Sequence, residues 1–207
     1  MEPAPLPDWI TVPPPAATRR ALRPSYAGEA EPPVRQPLED AAGWRFRRGT
    51  LIHKLLELLP ESTADRRQEL AGRLLAKWAG DVDDTVRAEL ADSALAIVND
   101  MNFKALFGPD SLAEAPLTGR IGDFEVNGQV DRLCISDDEI WVVDYKTHRT
   151  PPTRIEDVPQ VYVRQMALYR ALLRRIYSDK LVNCGLLWTE TPEMMMLPAD
   201  LLDAAGP

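Results

Sequence analysis

Residues 129–147 read QVDRLCISDDEIWVVDYKT. Two runs rich in apolar and β-branched residues, 129–135 and 140–147, flank the polar stretch Ser136-Asp137-Asp138-Glu139. That is a hairpin signal. A tight turn centred on Asp137-Asp138 sets Asp131 directly across from Asp144, with Cβ atoms about 4.5–5.5 Å apart, and Gln129 across from Lys146. Like charges opposed in a sheet repel, so something positive belongs between the two aspartates. A divalent cation with oxygen ligands fits. Side chains alternate along a strand, so Lys146 shares a face with Asp144. Tyr145 points to the opposite face and reads as core, with its backbone carbonyl a further candidate ligand. Two carboxylates, a cation and a lysine are the parts phosphodiester hydrolysis needs. The cation acidifies a bound water and neutralises phosphate charge, and the lysine orients the water or stabilises the transition state. The same residues also fit a solvated hairpin with scattered charges.

Outward from the hairpin, the pattern predicts helices over 44–59, 63–79 and 83–99, then strands near 113–118 and 121–126. A long helix follows at 159–177, and strands at 181–188 and 193–197 close the chain. In the first helix Ile52, Leu55, Leu56 and Leu59 form an apolar stripe, and Pro60 stops it. Helices, then a mostly antiparallel sheet, then a helix and more strand make a mixed α/β or α+β domain.

Gly49, His53 and Glu57 recur every four residues and share one face at the edge of the stripe. A histidine there is a core residue or a metal ligand. Glu57 suits the role of a carboxylate that orients the imidazole. Gly49 lowers helix propensity by about 1 kcal/mol relative to alanine and lets another group approach closely. Arg45, Arg47 and Arg48, one turn earlier, are candidate phosphate contacts or a solvated face. On the late helix, Gln165 and Tyr169 lie four apart beside Arg164. They form either an ordinary helix surface or a polar pair aimed at the lysine or at nucleic acid.

Composition sets limits. The chain has 207 residues, 45% of them hydrophobic, which suits one domain with a core. Residues 1–38 read as a Pro/Arg-rich linker or tail, and 39–207 as the folded domain. Ten of the 19 prolines fall within residues 1–40, together with Arg19, Arg20, Arg23 and Arg35. Trp9 and Tyr26 are candidate anchors for that leader. No apolar run is long enough to span a membrane, and the start lacks a signal-peptide pattern, so a cytoplasmic protein is expected. Cys134 and Cys184 read as reduced thiols, and two cysteines cannot hold an iron–sulfur cluster alone. The net charge of −8 argues against a protein that coats nucleic acid non-specifically. No G-x-x-x-x-G-K-[ST] occurs, so this chain is not an ATP-driven helicase.

Four short motifs occur in order: GTLIHKLLE at 49–57, GQVDRL at 128–133, VDYKT at 143–147 and QMALY at 165–169. Together they resemble the RecB-type nuclease family of the PD-(D/E)XK superfamily. Within it, the likeness is to the C-terminal nuclease domain of the AddA type, from the AddAB helicase–nuclease that processes double-strand breaks. The resemblance covers nearly the whole chain. It implies a restriction-endonuclease-like core, a central mixed sheet flanked by helices, with an N-terminal helical part and the Pro-rich leader as a linker to a helicase. It implies His53, Asp131 and Asp144 as metal ligands, beside the candidate Tyr145 carbonyl, and Lys146 as the catalytic lysine. It gives Glu57, Gln165 and Tyr169 supporting roles; Arg48 and Arg164, from the helix patterns, are the candidate DNA contacts. Mg²⁺, with Mn²⁺ in substitution, is the implied cofactor. DNA, a helicase portion of the same or a longer chain, and an AddB-like subunit are the implied partners. Two other readings stand beside it. A nuclease-like docking module would show a gap in the acid–acid–lysine set. A different metallohydrolase would carry more histidines than His53 and His148.

Overall fold

The computed structural model describes residues 20–22, 24, 40–122, 124–147 and 150–206. The leader over 1–38 lies mostly outside the described residues, as do Trp9, Tyr26 and His148. Its described part includes a strand, β1 (Arg20–Leu22), which pairs in parallel with residues 124–126. A piece of the leader therefore belongs to the sheet.

Three helices follow: α1 (Asp40–Leu58), α2 (Ala64–Trp78) and α3 (Asp84–Val98). The stripe is fully buried at Ile52, Leu55 and Leu56 of α1 and at Leu59, just past its end. The Asp83 side chain caps α3 by accepting from the Thr85 N–H at 2.8 Å. Next come β2 (Ser111–Ile121), β3 (Phe124–Ile135) and β4 (Glu139–Lys146), then α4 (Gln160–Ile176), β5 (Leu181–Trp188), β6 (Glu193–Leu197) and a short α5 (Ala199–Ala205). The expected strands at 113–118, 121–126 and 129–135 are two long strands joined at Gly122, whose φ is +56°. The break expected around residues 127–128 does not occur. Gly128 serves a close approach within β3, described below. The seven-residue α5 was not anticipated.

The sheet runs β1-β3-β4-β5-β6, with β2 on the other edge of β3. Pairs β2·β3, β3·β4 and β5·β6 are antiparallel, and β4·β5 is parallel. The crossover from β4 to β5 runs through α4. Apolar clusters cover both faces. Ile140, Val142 and Leu186 pack with α4, whereas Val143, Tyr145 and Leu187 pack with α1, α2 and α3. Strand alternation therefore assigns Asp144 and Lys146 to the α4 face.

The hairpin forms in the expected register. Ser136 and Glu139 close a two-residue turn, with the Ser136 N–H donating to the Glu139 carbonyl at 2.9 Å. Arg132 faces Val143 and Ile135 faces Ile140. The ladder stops there, one pair short of Asp131 and Asp144. Beyond it β3 and β4 part, and β1 takes up the far end of the same β3 edge at 124–126. The fork between them holds the candidate site.

Candidate active site

Each side of the fork is built by a recognisable device. Asp131 Oδ2 accepts the Tyr145 N–H at 2.7 Å, so a carboxylate replaces the strand partner that Tyr145 has lost. In a strand the N–H and C=O of one residue point to the same edge. The Tyr145 carbonyl thus also faces the fork. On β3, the carbonyl of Gln129 accepts the Tyr169 hydroxyl of α4 at 2.7 Å. That insertion needs Gly128, where a Cβ would lie 2.7 Å from Tyr169 Cε1. The expected pairing of Gln129 with Lys146 is absent. Gln129 instead pairs with Pro116 of β2, and its amide donates to the Glu114 carbonyl at 3.1 Å.

A second distortion lies across from Asp131. Glu114 has φ +48°, the left-handed region that non-glycine residues avoid at a cost of about 1–3 kcal/mol. Here both strands change face. Ala115 and Val130 pack on the α4 side, whereas Arg132 reaches the Leu56 carbonyl of α1. Residues two apart in a regular strand share a face, so the alternation is broken at the Glu114–Asp131 step. The break turns the Glu114 carboxylate into the fork. His53, Glu114 and Asp131 each bring a ligand atom within 4.8 Å of the others.

α1 is fixed against this site from both ends of its buried face. A Cβ on Gly49 would meet Thr147 Oγ1 at 2.9 Å, so the close approach expected of Gly49 is to the end of β4. Near the other end, Pro60 has no N–H to give the Leu56 carbonyl. The buried Arg132 supplies it, donating from Nη2 at 2.6 Å, and its Nε donates to the Tyr145 hydroxyl at 3.2 Å. His53 meets the Tyr145 ring edge-on at 5.5 Å, with Nδ1 3.4 Å from Asp131 Oδ1.

On the α4 face Asp144 is 3% exposed. Its Oδ1 accepts the Gln165 amide at 2.8 Å. Its Oδ2 lies 2.7 Å from Lys146 Nζ, a charge contact poorly angled for a directed hydrogen bond. Lys146 also donates to Gln165 Oε1 at 3.3 Å. Gln165 therefore holds the acid with its nitrogen and the lysine with its oxygen, and Tyr169 stands 3.5 Å behind it.

A match to the model of the PD-(D/E)XK nuclease superfamily extends over residues 25–193. The chain belongs to the PD-(D/E)XK nuclease superfamily. Its mixed sheet with flanking helices is the restriction-endonuclease-like α/β architecture expected of a PD-(D/E)XK protein. No curated protein matches. One solved structure, described as the crystal structure of SSO0001, is similar over 82% of this chain and 85% of that chain, at 11% identity and a TM-score of 0.33.

The donors of this PD-(D/E)XK domain fit a divalent cation. Two carboxylates and an imidazole converge at Glu114, Asp131 and His53; Asp144 stands outside that trio, its Oδ2 buried without a directed donor. Charge crowding appears in the protonation equilibria. Burial lowers the His53 pKa, but Asp131, Asp144 and Glu114 outweigh it and hold the imidazole at about 8. Burial raises Glu114 to about 7, with the Asp131 charge adding to it. Burial also raises Asp144, against the pull of Lys146. Asp131 is held below the usual carboxylate range: burial opposes this, but His53, the Tyr145 N–H and Lys146 prevail. Such crowding is relieved by a cation.

The remaining expected residues stand further off. Glu57 is half-buried, and its charge bears on Glu114. Among the described hydrogen bonds none joins Glu57 to His53. Arg48 pairs with Glu190 and ties α1 to the β5–β6 turn. Arg164 is exposed on α4. Glu114 escaped the sequence reading. Its only signal was a carboxylate within the apolar run 112–117 of β2, seventeen residues before Asp131.

Proposed function

We propose that this domain is a metal-dependent deoxyribonuclease that hydrolyses phosphodiester bonds, with exonuclease-type processing of DNA ends in double-strand-break repair. The observation that carries it is the fork, where His53, Glu114 and Asp131 gather within 4.8 Å of one another and the adjoining Asp144 lies 2.7 Å from Lys146. The resemblance of all four motifs to the AddA-type nuclease supports a place within a helicase–nuclease complex. The partners would be DNA, a helicase portion and an AddB-like subunit, in the cytoplasm.

Mg²⁺, or Mn²⁺ in its place, would be held by His53, Asp131 and Asp144, with Glu114 and the Tyr145 carbonyl within the same fork. When bound it supplies Lewis-acid charge to the scissile phosphate and the attacking water. The chain's own residues do the rest. Lys146 presents an ammonium to the charge that develops on the phosphate oxygens. Gln165 keeps Lys146 and Asp144 in one plane of action. The Tyr145 N–H fixes one oxygen of Asp131 and leaves the other toward His53. Arg132 holds α1, and with it His53, at its distance from the strands. The acid–acid–lysine set has no gap, which disfavours a purely non-catalytic docking module.

The test is cleavage of linear single-stranded DNA by the purified chain with Mg²⁺, against EDTA and against Asp144→Ala. Metal-dependent cutting that falls by about 10³-fold or more in the variant is expected. Absence of both cutting and metal binding by calorimetry would move the assignment to a docking module.

A further inference from the structure

Lys146 has a third neighbour that none of the four motifs contains. Its ammonium sits 3.8 Å from the centroid of the Tyr162 ring. This is within the range where a cation is drawn to the electron-rich face of an aromatic ring. Tyr162 lies on α4 three residues before Gln165, so the two share a helix face. One helix thus delivers both an amide oxygen and a ring face to the same ammonium. The ring is 2% exposed and is met at 6.5 Å and 60° by Trp188, itself the register partner of Lys146 across β4 and β5. Neighbours on two elements fix its plane.

The geometry points to Tyr162 as a positioning residue for the catalytic lysine, holding the ammonium through the face of its ring. This rests on the reading of Lys146 as catalytic. The other two contacts of Lys146 cannot do this alone. Asp144 Oδ2, at 2.7 Å, belongs to a candidate metal ligand. A carboxylate that shares its charge with a cation holds a neighbouring ammonium less tightly. Gln165 Oε1, at 3.3 Å, is one neutral acceptor on a side chain whose amide is already committed to Asp144. The attraction of the ring does not depend on the occupancy of Asp144. It would therefore hold Lys146 in place with Asp144 sharing its charge with a metal.

The test uses the full chain with a fluorinated phenylalanine series at position 162, with Tyr162→Phe as its reference. Fluorine withdraws electron density from the ring face and leaves its shape nearly unchanged. kcat on single-stranded DNA is expected to fall stepwise, by about tenfold from the plain to the trifluorinated ring. KM, calorimetric Mg²⁺ affinity and Tm should hold constant. An activity-independent readout accompanies it in metal-free protein. With ¹³C-labelled lysine, the ε-methylene of Lys146 should show an upfield ring-current shift that Tyr162→Leu abolishes. No shifted resonance overturns the inference whatever the activity. A flat kcat series in an active, Lys146-dependent enzyme overturns it alone. So does a fall in Tm or metal affinity that parallels kcat, since the ring then serves only the fold. A wild type that does not cut, or a Lys146→Ala variant that cuts as well as wild type, overturns the nuclease reading and this inference with it.

Discussion

At Glu114 a strained backbone and a crowded carboxylate coincide, and the second has a consequence for stability. Its folded pKa is about 7 against an ordinary 4.5. The folded state therefore holds a proton that the unfolded chain has released, and stability falls as pH rises through that window. His53 acts with the same sign. Its stabilisation is complete below its ordinary 6.5 and is lost as pH rises through about 8. The metal-free protein is expected to lose Tm steadily between about pH 5 and pH 8. Glu114→Gln should flatten the lower part of that decline and His53→Gln the upper part. Added Mg²⁺ should reverse the slope, because deprotonated ligands bind it better. Calorimetric scans across the pH range check this. A metal-free Tm that rises with pH would show that the carboxylates do not crowd the imidazole.

At the scale of elements, Gly49 shows how α1 is seated. Alanine in a helix interior gains about 1 kcal/mol over glycine. Here the added Cβ would lie 2.9 Å from Thr147 Oγ1. Gly49→Ala is therefore expected to lower stability by about 1 kcal/mol by crowding. In a Thr147→Ala background, where that oxygen is gone, the same change should become neutral or stabilising. Urea unfolding of the four proteins gives the coupling. An equal cost in both backgrounds would mean that α1 does not rest on the end of β4.

What was legible in the chain divides along the same lines. The β3–β4 register could be read because a two-residue turn and strict alternation leave one pairing that buries both apolar faces. Asp144 and Lys146 could be placed because period two puts them on one strand face, His53 because period four puts it beside Gly49, and Asp131 because the register sets it one pair beyond Arg132 and Val143. Glu114 could not, because its membership follows from a positive φ that breaks the alternation. The long strands β2 and β3 were cut short in the reading because Asn127-Gly128 resembles a turn. Gly128 is small for another reason, the Tyr169 ring against it. The strand at 20–22 was hidden in a Pro-rich segment whose composition argues against a core, since its pairing is decided by the free edge of β3.

At the scale of the whole molecule, charge limits what the domain does unaided. The net charge is −8. Several arginines are engaged with acids rather than free for a DNA backbone: Arg47 with Asp81, Arg48 with Glu190 and Arg154 with Glu156. Arg132 is buried. Affinity for nucleic acid that rests on phosphate neutralisation weakens with salt, by a log–log slope of about 0.7 per phosphate for single strands. A chain that neutralises one to three phosphates should then bind single-stranded DNA weakly, with a slope no steeper than about 2. Its limit would be delivery of DNA rather than chemistry. Joining it to a single-strand-binding module should raise kcat/KM by about 10²-fold through effective concentration, with kcat unchanged. Anisotropy titrations at several salt concentrations, beside kinetics of the free and joined forms, decide the matter. A steep slope with tight binding by the free chain would reveal a basic track and remove the need for a motor to feed the site.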